Sequence, residues 1–190
     1  MRFIPNIITC ARLLLALPIT WALCNGSFEI ALALFVVAGV SDGLDGWLAR
    51  RYGWQSRFGA FLDPAADKML MGLVFIVLAL QGQIALWFAT LIVGRDLIIA
   101  IGALSYRLLY GPFEHASTRL GKLSTVLQVL FVLAVLVRLS DLGLDAVQLR
   151  TAEHLLAIAV VVLAVCSGAE YVWTWSRRAL ARRGTEEGRP

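Results

Sequence analysis

The sequence predicts an all-α, polytopic membrane protein: a bundle of six transmembrane helices with its site at the cytoplasmic side. Three observations predict it. Hydrophobic residues fill 59% of the 190 positions and mean hydropathy is +0.78, well above soluble domains. Six apolar stretches alternate with short polar connections, each stretch long enough to approach or cross a bilayer. The third observation is the placement of Lys and Arg. One set of connections holds twelve of them (Arg2, Arg50, Arg51, Arg57, Arg107, Arg119, Lys122, Arg177, Arg178, Arg182, Arg183 and Arg189), and the opposite set holds only Arg138 and Arg150. That bias puts both termini in the cytoplasm and the chain in the inner membrane. One bundle uses up the length, so a single domain over 1–190 is expected.

The first span, about 7–23, follows a short polar entry. Its length would suit a signal peptide, and Leu23-Cys24 hints at a lipoprotein cut. Leu23 is too bulky to precede such a cut, and more spans follow, so this span is read as a retained helix. After a turn at 24–27, the second span covers about 28–50, and a basic loop follows to Phe58. The third covers about 63–80, with Pro64 in its first turn, where the missing N–H is not needed. Gln81-Gly82-Gln83 is a tight turn. The fourth span, about 84–110, is longer than the hydrocarbon requires. A polar loop leads to the fifth, about 120–139, and a mixed-charge loop to the sixth, about 153–175. The basic tail 176–190 is expected to fray beyond Arg183 and to rest on anionic lipid.

Within this apolar chain lie four carboxylates in two close pairs: Asp42 with Asp45, and Asp63 with Asp67. On helices, spacings of three and four put each pair on one face. Four carboxylates at a membrane cannot all stay ionised and unpaired, because desolvating a charge is too costly. They must be protonated, paired with bases such as Arg50, Arg51, Arg57 and Lys68, or bound to cations. Their hard oxygens suit Mg²⁺ or Mn²⁺, and the reading adopted is a site for one or two such ions, two being expected.

The full pattern around these acids is D-x2-D-G-x2-A-R-x8-G-x3-D-x3-D, filled by Asp42, Asp45, Gly46, Ala49, Arg50, Gly59, Asp63 and Asp67. In this the chain resembles the CDP-alcohol phosphatidyltransferase family, whose signature it matches at every fixed position. The resemblance implies transfer of a phosphatidyl group from a CDP-linked donor to an alcohol, with release of CMP, usually by a homodimer of six-span subunits. It implies that Asp42, Asp45, Asp63 and Asp67 hold the metal, that Asp67 is also the catalytic base, and that Gly46, Ala49, Arg50 and Gly59 border the CDP pocket. Within the family, the chain looks most like the cardiolipin synthase and phosphatidylglycerophosphate synthase branches. These take a glycerol-type acceptor, either phosphatidylglycerol or glycerol 3-phosphate.

Arg12, Arg95 and Asp96 are charges inside apolar spans and are functional candidates by default. Arg12, Arg95, Arg119 and Lys122 are the candidates for acceptor binding; Arg12 also suits a snorkelling anchor, Lys122 a positive-inside anchor, and Arg95 a buried pair with Asp96. Gly39 and Gly43 form a small-xxx-small pair expected to pack the second helix tightly. Cys10, Cys24 and Cys166 have no metal or redox spacing, and the isolated His115 and His154 are not expected to be ligands. The basic residues lie beside membrane spans, so no nucleic-acid partner is expected; membrane lipids are. A second reading is a divalent-cation transporter with the acids as its ion path, although acids gathered at one face and no repeated half disfavour it. A third is a non-catalytic lipid-binding scaffold, disfavoured by the complete set of motif acids.

Overall fold

The structure is a computed structural model that describes residues 4–52, 59–110 and 119–186, and the side chains of 14–41, 43–44, 51, 66–102, 104–105, 120–145, 147–171 and 173. The described residues form six helices: α1 (Ile4–Cys24), α2 (Phe28–Tyr52), α3 (Gly59–Leu80), α4 (Leu86–Tyr110), α5 (Arg119–Leu139) and α6 (Ala146–Glu186). α1 packs on α2 and α3, α3 on α4, α2 on α5, and α6 on both α4 and α5, with a lighter contact between α3 and α5.

Two connections end their helices in the same way. Gly26 and Gly82 take φ of 70° and 69°, a region that only glycine enters without a Cβ clash. In the first turn, Gly26 N–H donates to Leu23 O at 2.9 Å and Ser27 N–H to Ala22 O at 2.9 Å. Gly82 and Gln83 repeat the pair on Ala79 O and Leu78 O. This satisfies carbonyls that the helix ends would leave bare. Gln81 Nε2 then donates to Leu23 O at 2.5 Å, tying the two turns together across 58 residues. At the third such connection, Asp145 Oδ1 accepts from Val147 N–H at 2.9 Å and caps α6, while Arg138 Nε donates to Glu153 Oε1 at 2.7 Å.

The packed core lies towards these turns. Ile19 and Leu23 of α1, Ala31 and Phe35 of α2, Val74, Phe75 and Leu78 of α3, Phe88 and Ile92 of α4, Val132, Val135 and Leu136 of α5 and Val160 of α6 are buried. Phe75 is at the centre. It stacks on Phe131 at a ring separation of 6.1 Å, and Phe88 closes the trio at 4.9 Å from Phe131. Away from the turns, towards the C-terminal end of α2 and the N-terminal end of α3, the interior turns polar: Ser124, Gln128 and Ser167 are buried.

The outer surface is apolar. Leu14, Leu17, Trp21, Ile30, Val37, Leu80, Ile98, Ile101, Leu155, Ile158 and Val162 all face outward and exposed. Such a surface is stable only when an apolar medium or partner covers it. Among the described residues, Leu120–Leu139 and Val147–Tyr171 are long and apolar enough to cross a bilayer, and Leu14–Cys24 and Phe28–Ser41 are shorter apolar runs.

Four expectations are corrected. α3 begins at Gly59, not near Asp63, so Pro64 stands in its second turn; a proline so early removes a single helical hydrogen bond. α6 begins at Ala146, where the Asp145 cap starts it, and not near Glu153. It also continues through the basic tail to Glu186, because Arg, Ala and Leu are strong helix formers. Among the described residues nothing packs on Gly39 or Gly43: both are exposed, and a Cβ built on either meets no atom within 4 Å.

Candidate functional site

The sequence places Asp42 and Asp45 in the C-terminal half of α2, and Asp63 and Asp67 in the second and third turns of α3. Both stretches are helical, so each pair shares one face of its helix, as the spacing requires. The donor set is entirely carboxylate oxygen, which fits a hard divalent cation. Asp67 is half-buried. The side chains of Asp42, Asp45, Asp63, Gly46, Ala49, Arg50 and Gly59 lie outside the described residues, as do those of Arg12 and Arg119. Among the described residues, no three His, Cys, Asp or Glu side chains come together.

Next to Asp67, the structure resolves a chain of charges linking three helices. Lys68 Nζ of α3 lies 2.9 Å from Asp96 Oδ1 of α4. The same oxygen accepts from Arg95 Nη1 at 2.5 Å. Arg95 Nη2 donates to Ser167 Oγ of α6 at 2.7 Å, and Ser167 Oγ–H is spent on Ala164 O at 3.2 Å. The Arg95 side chain is only 9% exposed. A guanidinium so buried persists only where its donors are met. Here Asp96 and Ser167 meet two of them, but the buried Nε–H has no partner among the described residues. One turn beyond Ser167, Glu170 also holds a buried oxygen, Oε2, without a partner. Lys68 therefore turns to α4, and Asp96 is shared between two cations.

Arg95 also forms part of the wall of a groove between α4 and α6. The groove has a volume of about 600 Å³, and its walls are otherwise almost wholly apolar: Leu91, Ile98 and Ile99 on one side, Ala164 and Val165 on the other. Gly94, Gly102 and Gly168 keep it open. A Cβ at either of the first two meets nothing within 4 Å, and one at Gly168 meets only Arg95 Cγ at 3.8 Å.

Of the sequence candidates, Arg95 and Asp96 are thus brought together with Lys68, one residue from Asp67. Arg95 is a buried ion-pair partner of Asp96, one of its two readings, and it also lines the groove. Lys122 is exposed in the first turn of α5. Sequence reasoning missed Ser167, Glu170 and the groove. The available signal was a small, polar break, Ser167-Gly168, inside an otherwise apolar span. Cys24 and Cys166 are free and exposed, and the side chain of Cys10 lies outside the described residues.

Comparison with known proteins adds the following. Residues 2–174 match the sequence model of the CDP-alcohol phosphatidyltransferase family. A Mycobacterium tuberculosis protein named as a probable phosphatidylglycerophosphate synthase is 35% identical over 173 residues, covering 88% of this chain and 78% of that protein. A Schizosaccharomyces pombe cardiolipin synthase (CMP-forming) / mitochondrial hydrolase fusion protein is 34% identical over 88% of this chain. A Drosophila melanogaster probable cardiolipin synthase (CMP-forming) is 40% identical over 50% of it. The matched region spans only 30% of the length of each of these last two relatives.

Proposed function

The chain belongs to the CDP-alcohol phosphatidyltransferase family, and we propose that it is a membrane-embedded transferase of anionic phospholipid synthesis. In this reading it moves a phosphatidyl group from CDP-diacylglycerol to a glycerol-type acceptor, phosphatidylglycerol or glycerol 3-phosphate, and releases CMP. The observation that carries the reading is the complete motif, eight fixed residues from Asp42 to Asp67, spread over the C-terminal half of α2 and the first turns of α3 in a chain matched to the family from residue 2 to 174. The relatives are named as lipid synthases, which leaves the cation-transport reading without support.

The chemistry follows from the charges. The acceptor hydroxyl oxygen attacks the lipid-bearing phosphorus; the bond from that phosphorus to the bridging pyrophosphate oxygen breaks, and CMP leaves with that bond's electrons. The acceptor proton passes to a carboxylate, which we assign to Asp67. Mg²⁺ or Mn²⁺ held by Asp42, Asp45, Asp63 and Asp67, two ions in our reading, would supply charge stabilisation for the pyrophosphate and the departing CMP. Gly46, Ala49 and Gly59 leave room for the nucleotide, and Arg50 presents a planar fork to its phosphates. Arg95, Arg12, Arg119 and Lys122 supply positive charge for an anionic acceptor.

The same reading makes all six helices membrane spans, with both termini and the motif on the cytoplasmic side of the inner membrane, and the enzyme a homodimer. The apolar outer surface and the Lys/Arg asymmetry support that topology. The test is purified chain given labelled CDP-diacylglycerol and, separately, glycerol 3-phosphate, phosphatidylglycerol, inositol and serine. CMP release with one of the glycerol-type acceptors supports the proposal. Release with none of them, or only with inositol or serine, refutes it.

A further inference from the structure

The groove between α4 and α6 is absorbed by none of the motif chemistry. The donor motif lies on α2 and α3, whereas the groove is built by Thr90 to Gly102 of α4 and Ala164 to Tyr171 of α6. Its volume of about 600 Å³ falls within the roughly 300–1,000 Å³ of ligand pockets. It runs along α4 from Thr90 to Gly102, about 18 Å at the helical rise. Three glycines line it, and among the described residues only Arg95 Cγ comes within 4 Å of a Cβ built on any of them. Arg95 is the charged member of a lining whose other polar side chains are Thr90 and Tyr171: it is nine-tenths buried, and its Nε–H meets no group among the described residues. That combination suits a molecule with a long apolar part and an anionic oxygen.

Arg95 is the tenth residue of α4, about 14 Å into the helix; with α4 spanning the bilayer, as the proposed topology has it, that is well inside a hydrocarbon layer of about 30 Å. A molecule held there cannot keep its apolar part in the bilayer by leaving through the helix ends; it must leave sideways, and a lateral groove allows that. Lys68 and Asp96 join Arg95 to the residue next to Asp67, so an anionic head at Arg95 is within the same charge cluster as the site.

We propose that the α4–α6 groove seats an acyl chain of a phospholipid acceptor, with the acceptor's phosphodiester at Arg95. This rests on the transferase reading and narrows it: an acceptor that uses the groove is a lipid, and glycerol 3-phosphate, which has no acyl chain, has no use for it.

The test uses the full chain in lipid nanodiscs and a phosphatidylglycerol bearing a photoactivatable group in its acyl chain. Labelling is expected on the α4 and α6 segments that line the groove. Gly102→Leu, whose added side chain enters open space, should reduce it by about tenfold, close to 1.4 kcal/mol of binding. Val165→Trp, from the opposite wall, repeats the test should the first variant misfold, and Leu80→Trp, exposed on α3, should leave labelling unchanged. In turnover, the groove variants should raise the KM for long-chain phosphatidylglycerol by a similar factor of about ten while the KM for CDP-diacylglycerol stays put. Equal labelling by a matched phosphatidylcholine probe means bulk lipid only and overturns the proposal. So does a rise in the donor's KM alone, or efficient disulfide linkage of two copies through Gly102→Cys, which would make the groove a contact between copies. Specific labelling without CMP release from any acceptor would keep the lipid seat and refute the transferase reading instead.

Discussion

Ser167→Ala is the sharpest test of how Arg95 is held. Ser167 Oγ accepts from Arg95 Nη2 at 2.7 Å and directs its own proton to Ala164 O, so the hydroxyl is fixed as an acceptor. It is fully buried, so no water replaces it easily. Removing it takes away a hydrogen bond to a charged group, worth about 1.5–3 kcal/mol. Were all of that expressed in the placement of Arg95, acceptor kcat/KM would fall by about 10- to 150-fold. The donor contacts α2 and α3 in our reading, so its KM should not move. The assay is CMP release against acceptor concentration at saturating CDP-diacylglycerol, with thermal unfolding measured in parallel. Ser167→Thr keeps the oxygen and should restore most of the activity. An unchanged acceptor KM in Ser167→Ala, or a loss of thermal stability with kinetics intact, would refute the idea that Ser167 positions Arg95 for the acceptor.

Other predictions are more direct. Asp67→Asn should abolish CMP release in a chain that still folds, as judged by unchanged gel filtration and helical circular dichroism; near wild-type turnover would remove it as the base. Phe75→Ala should lower stability by about 3–5 kcal/mol, read by thermal unfolding in detergent, because Phe75 is fully buried and packs on Phe88 and Phe131; an unshifted transition would contradict the core described. A cysteine at Arg183 should react with an impermeant thiol reagent only after cells are opened; labelling in intact cells would reverse the topology.

The helices were legible because each apolar run is bounded by a turn signal with one physical meaning, as at Gly26 and Gly82, whose positive φ stops a helix. Boundaries erred where composition and helix propensity disagreed. The tail is expected to fray beyond Arg183, yet the helix formers of 177–183 carry α6 on to Glu186. The small-xxx-small spacing of Gly39 and Gly43 signals close approach but not to what, and among the described residues nothing approaches. That the motif acids lie on two helices, α2 and α3, was legible from the sequence. Ser167 and the groove were not, because they arise from contact between Arg95 and a residue 72 positions away, and no local pattern encodes that pairing.

The central claim is that carboxylates from α2 and α3 share bound cations. The most direct measurement is Mn²⁺ titration of the purified chain by electron paramagnetic resonance, comparing wild type with Asp42→Asn from one helix and Asp63→Asn from the other. A shared site predicts saturable binding that either substitution weakens strongly. Binding that is absent in the wild type, or that survives the loss of either aspartate, would contradict the account.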